Sequence, residues 1–540
     1  MHRRDWLKGT SAAGITLLSS RWVTSAEAAD ALSEKFPRLA EVALSHATSL
    51  GASFADFHLM QTDSESLFAR EEMVQGVDAD SKLGCSVRVL VDGAWGFSAT
   101  ENLSETAIRK VTESAIALAK GQAGWRAKPI ELEILPAYQG NWELPIEVDP
   151  FTVSLEDKVE QLLGINRSAL NTGANYCFSY LLAVRERKWL ANTFGSRITQ
   201  SRVRLHPSFS VTLTDPKQGG FASRESFLPP RAAGYEHFRD WNAVEEAALA
   251  VEQAKEKMAA PSVTPGKKDL VIAPSNLWLT IHETVGHPTE LDRALGYEAN
   301  YAGTSFCTPE KLDDLRYGSE RVNIFADRTA EQGLSTIGWD DDGVQTKGKE
   351  FPIIKDGIFR NYQMAMGQAA LIGRDGGSNG CAYSDGYDSI PIQRMPNISL
   401  QPGTDDAVTA ESLIADVEDG IFAEGRGSWS IDQQRYNFQF TAQVFHKITD
   451  GKLDGMYKDV AYQGNSVDFW NACDGLGGKG TYEMGGSFRC GKGQPGQGAP
   501  VSHGAVPARF RQINILNTAE ESGKKTASKC DCSGGGTAWA

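Results

Sequence analysis

The sequence predicts an α+β fold in two parts: an N-terminal mixed α/β region, then a C-terminal β-rich, barrel-like antiparallel domain. Three observations carry this. Up to about residue 260, helical periodicity and strand alternation intermingle without a clean β-α-β alternation. The stretch "APSVTPGKKD" (Ala260 to Asp269) has two prolines, a glycine and polar residues, and reads as a linker. Beyond it, after one short helix, the chain turns glycine-rich with short alternating segments.

The first thirty residues read as targeting rather than fold. Arg3-Arg4 precede a mildly apolar stretch from Gly9 to Leu18, Arg21 follows, and Ala26-Glu27-Ala28 fits a small-x-small cleavage site. The segment resembles a twin-arginine export signal spanning residues 1–28, which predicts a protein exported from a bacterial cytoplasm, to a periplasm. Such substrates travel folded, so a metal can be loaded before export.

The mature chain then reads in order. Leu39, Val42, Ala43, Ala47 and Leu50 form an apolar stripe on a helix from about Phe36 to Gly51. "SFADFHLMQ" alternates like a half-buried strand. "GCSVRVLVDGAWGFSAT" reads as a hairpin turning at Asp92-Gly93. Ser104 is placed to cap a helix that Gly121 ends, and a second helix spans Ser154 to about Thr172. Tyr180 to Asp215 gives successive strands with a turn near Asn192 to Gly195. A helix from about Asn242 to Ala259 closes this half. In the second half, "EFPIIKDGIFRNYQMA" is a hairpin about Asp356-Gly357, and "NFQFTAQVFHKITDGKLDGMY" is another strand series. No internal repeat is evident. The expected units are residues 29–125, 126–260 and 261–517, with a flexible tail at 518–540 that contains Cys530-x-Cys532.

Bulk properties narrow the function. With 540 residues the chain has ample length for several cores, and 41% hydrophobic against 23% charged residues is ordinary for a soluble protein. A net charge of −15 without a strong Lys/Arg cluster argues against nucleic acid as a partner. No run of 18 apolar residues is present, so no membrane anchor is expected. Eight cysteines are too few for a disulfide scaffold.

The chemistry concentrates in "IHETVGHPTE" (Ile281 to Glu290). His282 and His287 are five residues apart, one more than in the H-E-x-x-H pattern, in which both histidines share a helix face. On a straight α-helix that spacing puts the two rings about 140° apart. Ser275 reads as the N-cap of this helix. Pro288 disfavours the α region at His287 and Gly286 adds freedom, so a helix that unwinds at Gly286 brings the rings together. Two neutral imidazoles suit zinc, which takes a third protein ligand and a water, lowers that water's pKa and polarises a carbonyl. Glu283 is then placed as the general base and acid. From spacing alone the third ligand stays open among Cys490, Cys473, Cys381 and His503. Two other stretches read as structural: "GLGGKGT" (Gly475 to Thr481) as a glycine-rich loop rather than a phosphate loop, and the acidic "WDDDG" (Asp340 to Gly343) as a solvated turn rather than a calcium site.

Several motifs in order carry a resemblance: "VRVLVDGAWGFSATENLSE", "HETVGHPTELD", "GWDDDGVQTKGKEFPIIKDGIFRNY" and "MGGSFRCGKGQPGQ". The chain resembles the TldD/PmbA family of metallopeptidases over nearly its whole mature length, specifically the catalytic TldD branch, because the non-catalytic branch lacks H-E-x-x-x-H. Glu290 and Asp292 fall at family positions. The resemblance implies Cys490, followed by Gly491-Lys492, as the third ligand beside His282 and His287, and one Zn2+ per catalytic subunit. It implies a zinc peptidase acting on small or unfolded peptides in an enclosed site. It also implies a dimer, either of identical subunits or with a non-catalytic paralogue. The alternative reading is a peptide-binding or maturation scaffold with a structural or absent metal, favoured if His503 or another cysteine closes the fourth position.

Overall fold

A computed structural model describes residues 31–125, 129–216, 220–493 and 496–520. The export signal expected at residues 1–28 and the Cys530-x-Cys532 pair lie outside these residues.

The N-terminal half is one seven-stranded sheet. A helix at residues 31–49 (α1) leads into β1 (Phe54–Arg70), β2 (Met73–Val91) and β3 (Ala94–Thr100). Next come α2 (Glu105–Gln122), β4 (Gln139–Glu143), α3 (Leu155–Thr172), β5 (Tyr176–Asn192), β6 (Arg197–Asp215), β7 (Gly220–Glu225), α4 (Glu236–Arg239) and α5 (Ala243–Ala259). The strand order is β3-β2-β1-β5-β6-β4, with β7 also on β6, so a single sheet crosses the boundary expected near residue 125. Ser104 caps α2 through Ala107 N, but the helix runs past Gly121 to Gln122. Asp92 and Gly93 adopt φ of 49° and 71°, as a two-residue hairpin turn requires.

Strand parity explains what each face does. Odd residues of β1, β5 and β6, such as Phe57, Leu59, Trp189, Leu205 and Phe209, pack under the helices. Even residues, such as Asp56, Lys188 and Arg202, are also buried, because the C-terminal domain covers them. The half-buried strand expected at "SFADFHLMQ" is therefore buried on both faces.

The C-terminal half starts with β8 (Gly266–Ile272) and α6 (Pro274–Ile281), followed by α7 (Leu291–Ala294). β9 (Ile324–Asp327), β10 (Phe351–Lys355), β11 (Ile358–Phe359) and β14 (Asn397–Leu400) form a four-stranded sheet, and β12 (Ala382–Tyr383) pairs with β13 (Ile392–Gln393). Then come α8 (Ala410–Ala415), β15 (Asp419–Ile431), β16 (Asn437–Thr449), β17 (Lys452–Tyr457), β18 (Val460–Asn465), α9 (Ser466–Asn471), β19 (Cys473–Leu476), β20 (Glu483–Lys492), β21 (Gln497–Ala505) and β22 (Ala508–Asn517). β15-β8-β22-β18-β16 close on themselves through β15–β16, a five-stranded barrel. Within it only β8–β15 runs parallel; these strands are far apart in sequence, so no hairpin dictates their sense. Asp356-Gly357 and Asp450-Gly451 turn their hairpins with the same pair of positive φ values as Asp92-Gly93.

The acidic stretch Asp340 to Asp342 corrects the sequence reading. It is 0 to 2% exposed, not solvated. Lys188 Nζ reaches Asp341 Oδ2 at 2.6 Å, and Arg88 Nη2 reaches Asp342 Oδ1 at 2.8 Å. Asp340 accepts backbone N–H groups of Asp342, Val344 and Ala382. The loop fastens the C-terminal domain to the polar face of the N-terminal sheet. "GLGGKGT" is a glycine-rich loop here: Gly477 N donates to Pro507 O, and a Cβ on Gly478 would lie 2.5 Å from the Asp406 backbone.

Candidate metal centre

The site grows from α6. Pro274 occupies its first turn, with Ala273 rather than Ser275 at the N-cap; the Ser275 hydroxyl instead accepts Gly425 N at 3.0 Å. Asn276 Nδ2 donates to Gly425 O and Thr441 O, pinning the helix to the β15–β16 pair. All of α6 except Ser275 is buried, so it has no solvent face to set an amphipathic pattern.

The extra residue between the histidines is accommodated by widening the helix, not by unwinding it. His282–Gly286 forms a π turn, in which His287 N–H donates to His282 O. An i→i+5 turn stacks residues five apart, as an α turn does those four apart. His287 keeps α-region angles (φ −63°, ψ −44°) despite Pro288, and a 3-10 turn, His287–Thr289, follows. Gly286 is also α-like; a Cβ there would lie 2.8 Å from Met395 Sδ, so its small size serves close packing. Tertiary partners hold the widened turn: Trp470 Nε1 donates to Thr284 Oγ1 at 2.9 Å, Gln363 Nε2 to Gly286 O at 2.6 Å, and Tyr317 OH to Thr284 O.

The two rings thus lie 4.7 Å apart between centroids. β20 supplies Cys490, just after a register shift against β21. Its Sγ lies 3.4 Å from His282 Nε2 and 3.7 Å from His287 Nε2. Ligands of a tetrahedral zinc at ordinary Zn–N and Zn–S lengths sit about 3.6 Å apart. Among the described residues these three offer ligand atoms within 4.8 Å of one another, all buried. The donor set therefore fits one metal ion and leaves a coordination position for a water.

Hydrogen bonds fix which nitrogens are free. His503 Nδ1 donates to Ile398 O (3.1 Å), so its Nε2 accepts from His282 Nδ1 (2.7 Å) and the lone pair of His282 falls on Nε2. His287 Nδ1 donates to Glu290 Oε2 (3.0 Å), which likewise frees its Nε2. Both nitrogens of His503 are engaged, so in this geometry it is a support for His282 rather than a ligand. Burial holds all three imidazoles below their ordinary pKa, hence neutral. Burial pushes the Cys490 thiol up, and the Arg394 guanidinium, whose Nη2 donates to Cys490 O, pulls it down. The Cys473 and Cys381 thiols lie against nearby backbone carbonyls, Gly475 O and Asn379 O.

Around the ligands, Lys492 Nζ bonds Asp292 Oδ1 at 2.8 Å and Glu290 Oε1 at 3.2 Å. This joins the residue two past Cys490 to the carboxylate that orients His287. Glu283 stands beside His282 and is 6% exposed at its side chain; its Oε2 accepts Arg435 Nη1 at 2.5 Å. The sequence motif brought out His282, Glu283 and His287. It gave no role to Arg435, to Arg394, whose Nη2 donates to Cys490 O, or to Trp278, which stacks on His503. No local signal marks any of these three.

The profile of the PmbA/TldA metallopeptidase C-terminal domain matches residues 265–515, that of domain 1 matches 55–119, and that of the central domain matches 148–258. A metalloprotease of Methanocaldococcus jannaschii is 26% identical over 480 residues, covering 87% of this chain and 97% of the relative. A zinc metalloprotease TldD homologue of Saccharolobus solfataricus is 23% identical over 474 residues, 87% of this chain and 98% of the relative. The crystal structure of TldE from Thermococcus kodakarensis superposes with a TM-score of 0.66 at 14% identity, covering 88% of this chain and 98% of that one, a likeness of fold.

Proposed function

The chain belongs to the PmbA/TldA metallopeptidase family, and from that premise we propose that it is a zinc-dependent peptidase acting on small or unfolded peptides. The observation that carries the reading is the convergence of His282 Nε2, His287 Nε2 and Cys490 Sγ, with both Nδ1 atoms already donating elsewhere. A zinc ion held there would polarise a peptide carbonyl and lower the pKa of a water towards neutrality. Glu283 would take a proton from the attacking water and pass it to the leaving amine when the C–N bond breaks. His503 and Glu290 keep the two imidazoles oriented, and burial keeps them neutral.

Among the described residues β20 pairs with no strand but β21, which supports a reading in which a substrate peptide adds alongside it and leads towards Cys490. A cavity of about 200 Å³ lined by Tyr180, Phe227, Trp278 and Phe488 lies along this strand and can take a substrate side chain. We extend the reading to a dimer, of identical subunits or with a non-catalytic paralogue, and to export by the twin-arginine route to a periplasm. Light scattering of the purified protein and N-terminal sequencing of the mature chain test these two extensions.

The primary test is elemental mass spectrometry beside a screen of unstructured peptides. About one zinc per chain, lost in Cys490→Ala, with cleavage abolished by chelation and restored by zinc, is the expected result. Cleavage that persists in fully metal-free protein removes the reading.

A further inference from the structure

We propose that Arg435 is a further catalytic residue, whose guanidinium donates to the oxygen of the scissile carbonyl as negative charge develops there. The proposal rests on the peptidase reading above. Arg435 sits at the tip of the β15–β16 hairpin with φ of 64°, a left-handed conformation that a bulky residue adopts only where its surroundings impose it. The surroundings do so. Arg435 N donates to Asp432 O, and Ser466 Oγ donates to Arg435 O at 2.8 Å. The Asp432 carboxylate accepts both Tyr436 N and Asn437 N. Phe306 N donates to Gln434 O at 3.0 Å, and the Phe306 and Tyr436 rings lie 5.1 Å apart.

This clamped tip aims one side chain at the site. Arg435 is 15% exposed and gives Nη1 to Glu283 Oε2, while its Nε is buried with no protein acceptor. A guanidinium carries five N–H donors in a planar fork, so contact with Glu283 through one nitrogen leaves others to serve a second acceptor. The contact also leaves Glu283 Oε1 for the water. The water that yields its proton to Glu283 attacks the carbonyl carbon, so the carbonyl oxygen comes within one water's width of this carboxylate. Arg435, already touching the carboxylate, would present a further N–H to that oxygen, and a fixed donor where charge develops needs no rearrangement to act. In the step, the water oxygen bonds to carbon, the carbonyl π electrons move to oxygen, the proton goes to Glu283, and Arg435 keeps all its protons. The amine then leaves with the C–N electron pair and takes the proton from Glu283.

The test is isothermal titration of zinc-loaded protein with two probes: a phosphinic tripeptide, which presents a tetrahedral anion, and the matching amide tripeptide, measured in a Glu283→Gln background. Arg435→Met should weaken the phosphinate about 100-fold and the amide by less than about threefold, with zinc content unchanged; in protein that retains Glu283, kcat, not KM, should carry the loss. Arg435→Lys should recover part of it. Equal weakening of both probes, or of neither, overturns the proposal, as does loss of zinc or fold in both variants, which makes Arg435 a structural residue. A wild-type protein that binds zinc but neither probe, and cleaves nothing, removes the peptidase reading itself. Intact cleavage with an unaffected Arg435→Met removes this proposal alone.

Discussion

His282 Nδ1 and His503 Nε2 are 2.7 Å apart, and because His503 Nδ1 is committed to Ile398 O, the proton between them belongs to His282. One ring thereby sets the tautomer of another that lies 221 residues away. Replacing His503 by Ala frees the His282 ring to rotate. Zinc affinity should fall about 10- to 100-fold, read by competition with a chromophoric chelator. Unchanged affinity would show that packing alone orients His282.

Glu283→Gln keeps the shape and a hydrogen-bond acceptor but not the base. Turnover should fall at least about 100-fold, the scale of general base catalysis. Zinc stoichiometry should stay at the wild-type value, because Glu283 is not one of the three converging ligands. Loss of metal in this variant would make Glu283 part of the binding set instead.

Lys188→Met tests the joint between the two halves. It leaves the buried Asp341 carboxylate without its cation, and breaking a buried pair costs about 3–5 kcal/mol. The urea midpoint should drop accordingly, and adding Asp341→Asn should recover much of the loss. A midpoint within error of wild type would mean that Ser384, which also bonds Asp341 Oδ2, suffices alone.

Burial, aided by Arg426 and His237, pushes His206 down to about 3. The unfolded chain therefore binds this proton more readily than the folded one between pH 6.5 and 3, and stability rises with pH there. The contribution is complete above about pH 6.5 and is lost as pH falls through that window. His206→Gln should flatten the thermal-stability profile between pH 6.5 and 5, measured by calorimetry. An unchanged slope would assign the acid sensitivity to other groups.

Much of the fold was legible in the sequence because its signals are local. Asp-Gly pairs forced hairpin turns at residues 92–93 and 356–357. Ser104 and Ser154 capped helices through their own hydroxyls. The His-Glu-x-x-x-His spacing singled out three residues of the candidate site on chemical grounds, and family resemblance pointed to Cys490.

Tertiary structure decided what local signals could not. Whether His287 unwinds or continues the helix depended on Trp470, Gln363 and Tyr317, which hold the π turn from distant elements. Whether Asp340 to Asp342 meets solvent or ion pairs depended on a sheet contributed by the other half of the chain. Arg435 reaches Glu283, and Cys490 reaches the two imidazoles, only because the closed barrel and β20 bring these segments together. Turns and caps are satisfied within a few residues, so sequence alone determines them. The partners of a buried charge or metal ligand lie far along the chain, and only packing can choose them.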